Sequence, residues 1–512
     1  MMLRWVFVGL IAVFTSNAVA DELDVLPQNV AEDTPWNDVE EDEVEDMALL
    51  QQKTLVASPR APNHTAPYLI PLRRELSPVI RRGKVVSHRA SYSGLIHVGY
   101  PNPQEFRVVF DTGSAHVVLP SVDCRSSACL KHARYDITTS QTGEAIYLDG
   151  RTVQPGRVGE SVTIGFGTAK VTGDFVRERV CVGPVATQPG ELPGPCVTSQ
   201  AVMATEMSSR PFDQFKFDGI VGLGLPTLAL NNNFSLFDHF ANSGQLAFPY
   251  FSFFLAEGDD GEVSEIAIGG HNPEHLLEPI SWVPMAKPEL GYWQVKILAV
   301  HINGTKTDMC DAGDCHGILD SGTSHFGIPS STSDTFNELL TTKAGDQRDC
   351  RLVNAPVVLL ELRGLNITLY PENYMRLMPV PADVLGDANI TVSPGVVLQD
   401  NPAAAAEDSV NQSALDNSTQ PGDTSELLCT PKLLPVSWPE PVGPNVFILG
   451  EPVLQRYYTV FDWAQQRSGF ALASHLRPPA EMPKQGGAEA ASPPQDEIVL
   501  LQVTVSVTRV RA

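Results

Sequence analysis

The sequence predicts an all-β protein of two similar lobes with minor helices, on three observations. Its apolar runs are short and punctuated by Gly, Pro and Asn, its sharpest motif occurs twice, and its length exceeds what one core holds. Runs such as Leu95 to Val98, Arg107 to Phe110 and Ser161 to Ile164 are strand-sized and bounded by turn residues. Few stretches carry a helical period, and Asn232 to Asn242 and Ser333 to Lys343 are the better helix candidates. The chain has 512 residues, 43% of them hydrophobic, which suits a globular protein with two or more lobes.

The duplication pairs Val109-Phe110-Asp111-Thr112-Gly113-Ser114 with Ile318-Leu319-Asp320-Ser321-Gly322-Thr323. Each copy is two apolar residues, Asp, a hydroxyl residue, Gly and a second hydroxyl residue. Each is followed by an apolar-apolar-Gly element, Ile220-Val221-Gly222 and Ile448-Leu449-Gly450. Two halves with the same order of parts imply two lobes about a pseudo-twofold axis. A strand delivers each Asp to a tight turn, where Gly113 and Gly322 allow close backbone approach. Ser114 and Thr323 hold the carboxylates by hydrogen bonds. If the turns meet, Asp111 and Asp320 face each other. Two carboxyls so close share one proton, an arrangement suited to general acid–base work on a bound water. One such motif alone is an ordinary turn; two with matching surroundings are not.

The remaining segments set this body in context. Arg4, the apolar run Trp5 to Phe14 and Ala18-Val19-Ala20 form the pattern of a cleavable leader, residues 1–20, too short to span a membrane comfortably. Residues 21–90 read as a prosegment. Nine acids between Glu32 and Asp46 are followed by the basic Arg73, Arg74, Arg81, Arg82, Lys84 and Arg89, ahead of regular strands expected from Tyr92. Removing residues 1–90 leaves 47 acids against 26 bases, so a basic prosegment can pair with an acidic body. The net charge of −25 argues against nucleic acid as a partner. Residues 400–426 read as a disordered insertion, and 477–512 as a tail that is linker-like from Pro478 to Gln495. The tail ends in a partly alternating run, Ile498 to Val510, to which no role is assigned.

An exported chain can form disulfides, and the cysteines number eight. Cys124 and Cys129, Cys181 and Cys196, and Cys310 and Cys315 lie close in sequence. Cys350 and Cys429 remain and bracket the insertion. Metal binding is the weaker reading, because no pair has CxxC spacing and no histidine cluster accompanies one. No cofactor is called for. Sequons at Asn63, Asn233, Asn303, Asn366, Asn389, Asn411 and Asn417 are glycosylation candidates.

Over residues 92–475 the sequence resembles the pepsin-like aspartic peptidases. The resemblance lies in both Asp-hydroxyl-Gly motifs and in Phe217-Asp218-Gly219-Ile220-Val221-Gly222-Leu223-Gly224. Tyr292-Trp293-Gln294-Val295 and the segment from Ile448-Leu449-Gly450 through Asp462 also carry it. It implies a bilobal pepsin-like acid protease fold, with lobes at 91–285 and 286–476. It implies an endopeptidase acting on proteins or peptides through an Asp111–Asp320 dyad, favoured at acid pH, made as a zymogen and inhibited by its own prosegment. Cys124–Cys129, Cys310–Cys315 and Cys350–Cys429 fall where the family has disulfides, and Cys181–Cys196 is an addition. Localisation follows as the secretory pathway, ending outside the cell or in an acidic vacuole or organelle. A catalytically silent peptide-binding glycoprotein on the same scaffold is the alternative, and there is no clear membrane anchor.

The resemblance also places a flap at Phe166, Gly167 and Thr168, closing over substrate. Here the chain departs from its family: Phe166 stands where Tyr is usual, and Val118 where that Tyr finds a Trp partner. The expectation is an apolar contact in place of a polar one. His116 and His325 each follow their Asp by five residues. A charged imidazolium at either place would lower the dyad's apparent pKa values, and a hydrogen-bonded histidine without that role is the plainer expectation.

Overall fold

The structure, a computed structural model, describes residues 5–6, 66–81, 84–167, 169–183, 194–257, 261–381, 426–476 and 502–509. Its strands form where β-branched and aromatic residues can be packed on a pleated surface. Gln104–Asp111 carries Phe106, Val108, Val109 and Phe110, all buried. It pairs in parallel with Gly219–Gly222, so that Gly222 lies opposite Asp111. Gly219–Gly222 runs antiparallel to Val117–Pro120, which is parallel to Cys196–Met207. The second half repeats this arrangement strand for strand. His316–Leu319 is parallel to Val446–Leu449, which is antiparallel to Phe326–Pro329, which is parallel to Leu433–Val436. Equal order and equal strand sense give the two lobes their pseudo-symmetry.

A further set of strands joins the halves. Tyr250–Phe254 pairs antiparallel with Tyr457–Asp462, flanked by Ser264–Ile268 on one side and Arg467–Leu472 on the other. Phe251 and Phe461 stack at 4.8 Å between ring centroids, and Trp293 meets Phe461 edge-on at 5.2 Å. All three are fully buried. The Trp293 indole donates to the Leu223 carbonyl at 2.8 Å, tying the second half to the segment beyond Gly222. The fold is therefore the all-β, bilobal, pepsin-like one. Among the described residues no helix is long and apolar enough to cross a membrane.

The first strands correct one expectation. Regular structure in this region begins at Tyr68, not Tyr92: Tyr68–Arg81 and Lys84–Val98 form a hairpin with Arg81 opposite Lys84. Residues Tyr68 to Leu72 also pair with Ser264–Ile268, where Ile70 and Leu72 are buried. Alternate apolar residues supply the burial that the basic residues obscure in the sequence. Arg74 shows how a basic group is accommodated. Its guanidinium donates to the Tyr92 hydroxyl at 3.1 Å and to Glu451 Oε1 at 3.4 Å. Glu451 is buried and also accepts from Tyr92 at 2.8 Å and from Gln455 at 3.0 Å.

The helix candidates are shorter than expected. Asn232–Phe234 is a 3-10 turn, followed after Ser235 by the helix Leu236–Asn242. The second helix, Ser333–Leu340, gives way to extended Thr342–Lys343. All four cysteine pairs named from the sequence are joined, with Cys181 and Cys196 opposite each other on adjacent strands. Asn233, Asn303 and Asn366 are exposed. Asn63, Asn389, Asn411, Asn417, Thr168, most of the leader and nearly all of the insertion lie outside the described residues.

Candidate active site

The site is assembled where the two Asp turns meet. Asp111 ends its strand, and its Oδ1 accepts from the Gly113 N–H at 2.9 Å while Oδ2 accepts from the Ser114 hydroxyl at 2.5 Å. Asp320 is held identically, by the Gly322 N–H at 2.8 Å and by the Thr323 hydroxyl. A turn whose first residue accepts from the N–H two positions on fixes the carboxylate plane. Both aspartates are fully buried and in hydrogen-bonding contact with each other. Burial and then the negative charge of Asp320 push the Asp111 carboxyl well above the usual range, against the pull of Ser114 and Gly113. Burial also raises Asp320, opposed by its bonds to Thr323, Gly322 and Asp111.

Two residues not singled out from the sequence lock the turns together. The Thr112 N–H donates to Ser321 Oγ at 3.0 Å, and the Ser321 N–H donates to Thr112 Oγ1 at 2.9 Å. Each hydroxyl then donates across the interface, Thr112 to the Leu319 carbonyl at 2.8 Å and Ser321 to the Phe110 carbonyl at 2.7 Å. The signal was present, since both motifs carry a hydroxyl directly after Asp. Its meaning depends on backbone of the opposite lobe. Thr112→Val removes one hydroxyl that is both donor and acceptor, leaving the Leu319 carbonyl and Ser321 N–H unpaired. We expect a loss of about 2 kcal/mol or more in a denaturant titration, largely recovered in Thr112→Ser.

The apolar-apolar-Gly elements lie against the same turns. The Gly222 N–H donates to the His116 carbonyl at 2.9 Å, and Leu223 N–H to the Asp111 carbonyl at 2.7 Å. In the second lobe, Asp320 N–H donates to Leu449 at 3.2 Å and Glu451 N–H to Thr323 at 2.8 Å. A Cβ on Gly222 would stand 2.4 Å from the His116 nitrogen, and one on Gly450 2.4 Å from the Thr323 oxygen. Only glycine permits this approach.

The expected flap residues Phe166 and Gly167 fall at the turn of the hairpin of Glu160–Phe166 and Ala169–Val182, with Gly167 at a φ of +56°. Phe166 is buried and packs edge-to-face on Phe212 at 6.4 Å, in an apolar cluster that includes Val118. The Tyr–Trp polar pair is thus replaced by apolar packing. His116 is fully buried. Its Nε2 accepts from the Leu230 N–H at 3.0 Å, so Nδ1 carries the proton and donates to Gln502 Oε1 at 2.9 Å. Burial lowers its pKa to about 4, and the ring is neutral above that pH. At His116 the charged imidazolium considered from the sequence therefore forms only at about pH 4 and below. His325 is also buried and bonds the Ser324 hydroxyl at 3.0 Å.

Two further groups adjoin the dyad without having been predicted. Tyr292 is buried, and its hydroxyl pKa is raised by burial and by the charges of Asp320 and Asp111. Tyr292 Oη donates to the Gln502 carbonyl at 2.7 Å. Gln502 opens a strand of the C-terminal tail, Gln502–Arg509, which pairs antiparallel with Glu160–Phe166. Partial alternation in Ile498 to Val510 was the only hint of it.

Comparison with known proteins agrees with this geometry. The family model described as eukaryotic aspartyl protease matches residues 91–381. Renin of Ovis aries is 30% identical over 391 residues, covering 75% of this chain and 80% of the relative. Cathepsin E of Cavia porcellus is 31% identical over 290 residues, 56% of this chain and 68% of the relative. Pepsin A-5 of Mus musculus is 28% identical over 388 residues, 75% of this chain and 81% of the relative.

Proposed function

This chain belongs to the eukaryotic aspartyl protease family and is an aspartic-type endopeptidase, and from that premise we propose that Asp111 and Asp320 are its catalytic pair. They hydrolyse peptide bonds in proteins or peptides through a water held between them. The observation that supports this is the contact of two buried carboxyls, each fixed by an N–H and a hydroxyl from its own turn. The pair holds one proton, on Asp111, whose carboxyl is raised the more. Asp320 takes a proton from the water, which attacks the carbonyl carbon as Asp111 donates to the carbonyl oxygen. Collapse of the tetrahedral adduct returns a proton to Asp111 and delivers the other from Asp320 to the departing amine. Gly113, Ser114, Gly322 and Thr323 hold both carboxyls in place by matching hydrogen bonds, and the flap residues Phe166, Gly167 and Thr168 close over substrate.

A dyad that works singly protonated favours acid pH. The leader, the four disulfides and the sequons support passage through the secretory pathway, to the exterior or an acidic vacuole or organelle. The chain is made as a zymogen, and Arg81-Arg82 offers a processing site just past the end of the strand Tyr68–Arg81. Cleavage there alone leaves Tyr68 to Leu72 paired with Ser264–Ile268. Digestion of a denatured protein at acid pH by the purified enzyme, abolished in Asp111→Asn, tests the assignment. Equal digestion by that variant refutes it.

A further inference from the structure

The strand Gln502–Arg509 lies on the edge of Glu160–Phe166 opposite to Ala169–Val182, with Gln502 against Phe166 and Arg509 against Glu160. It extends the flap by one antiparallel strand, the mode in which an extended peptide is bound at an open sheet edge. Gln502 is buried with 3% of its surface exposed, and every polar group it has is used. Its N–H donates to the Gly113 carbonyl at 3.1 Å, and its carbonyl accepts from Tyr292. Its side-chain oxygen accepts from His116, and its amide nitrogen donates to the Leu228 carbonyl at 3.0 Å. Gly113 itself donates to Asp111, so the tail is anchored one residue's reach from the dyad. Val505 and Val507 rest on the apolar cluster that holds Phe166. The far edge of the strand is paired, among the described residues, by Trp5–Val6, which belong to the leader expected to be removed.

We propose that Gln502–Arg509 is an in-chain occupant of the substrate groove, an autoinhibitory strand that competes with incoming peptide for the flap edge and for the Gly113 carbonyl. The idea rests on the dyad being the catalytic centre. Its sequence fits the role: from Ile498 to Ala512 it holds two Arg and no acid, facing a body of strongly negative charge. A tether of the length of 477–501 gives an effective concentration of about 1 mM. A segment with an intrinsic Kd of about 0.1 mM then raises the apparent KM roughly tenfold.

Gln502→Pro in the full-length chain tests this, because it deletes the N–H to Gly113 and both side-chain bonds. The expected result is a kcat/KM about tenfold higher, carried by KM, with a melting temperature lower by only the few degrees that loss of a tenfold intramolecular association costs. A synthetic peptide of residues 498–510 added to that variant restores inhibition competitively. The labelled peptide also binds the Asp111→Asn, Gln502→Pro protein in fluorescence anisotropy and fails to bind Asp111→Asn alone. Unchanged or lower activity in Gln502→Pro, with no peptide binding, overturns the proposal and makes the strand a structural strut. Selective peptide binding without hydrolysis by any variant upholds the tail's place in the groove and refutes the catalytic reading instead.

Discussion

Asp111→Asn is expected to leave a folded protein whose kcat on a denatured protein substrate is lower by about 10³–10⁴-fold. Asparagine keeps the shape, and its amide oxygen can still accept from the Gly113 N–H while its amide nitrogen donates to the Ser114 hydroxyl, but it cannot carry the proton that protonates the substrate carbonyl. Asp320→Asn should cost about as much, and the double variant little more, because the two carboxyls act as a unit. Stability should move the other way. Asp111 is raised in the fold, so the native state keeps its proton at pH values where the unfolded chain has lost it. The stability from this group is full below its unfolded value and is lost as pH rises through the folded one. Asp111→Asn removes that titration. Its melting temperature relative to the parent should therefore increase from about pH 4 towards pH 7. A difference that is flat across this range would contradict the raised carboxyl.

Gly222→Ala is the second large effect. The added methyl meets the nitrogen of His116 at 2.4 Å and that of Ala115 at 2.5 Å, both backbone atoms of the segment after Asp111. No rotamer change relieves a clash with main chain, so the strand or the turn must shift. We expect a loss of about 3 kcal/mol in urea unfolding. A displaced Asp111 should also lower kcat by about 10²-fold, since a misplacement of about 1 Å is costly at a reacting centre. Gly159→Ala is the matched control. Its added carbon meets only a Val153 methyl at 3.7 Å, and neither quantity should change. Parent-like stability and rate in Gly222→Ala would show that the element does not position the dyad.

What could be read from the sequence follows from what local residue chemistry demands. A carboxyl dyad built by duplication needs Asp, a hydroxyl and Gly at corresponding turns, so Asp111 and Asp320 announce themselves. The apolar-apolar-Gly elements are legible for the same reason. Thr112 and Ser321 sit in the same motif, yet their role depends on the Leu319 and Phe110 carbonyls of the opposite lobe, and no local pattern encodes that meeting. The first hairpin was masked by its own composition. Arg74 looks like a solvated cation until Glu451, 377 residues away, is beside it. For His116 the sequence left a charged imidazolium and a neutral hydrogen-bonded ring both open, and only its burial against Gln502 and Leu230 decides for the neutral ring. The tail strand was least legible. Alternation of Val with Thr and Ser marks a strand but says nothing of which open edge will receive it, and register across such a distance is set only by the folded partner.

The Cys350–Cys429 bond spans 79 residues and closes around the stretch 382–425. A protease that nicks this stretch produces two polypeptides that remain one molecule. Such a nicked enzyme should migrate as a single band on a non-reducing gel and divide into two fragments with thiol present. The smaller fragment would take with it Val446–Leu449 and Gly450, which back the Asp320 turn, so activity in the nicked form would depend on the oxidised state of a bond remote from the chemistry.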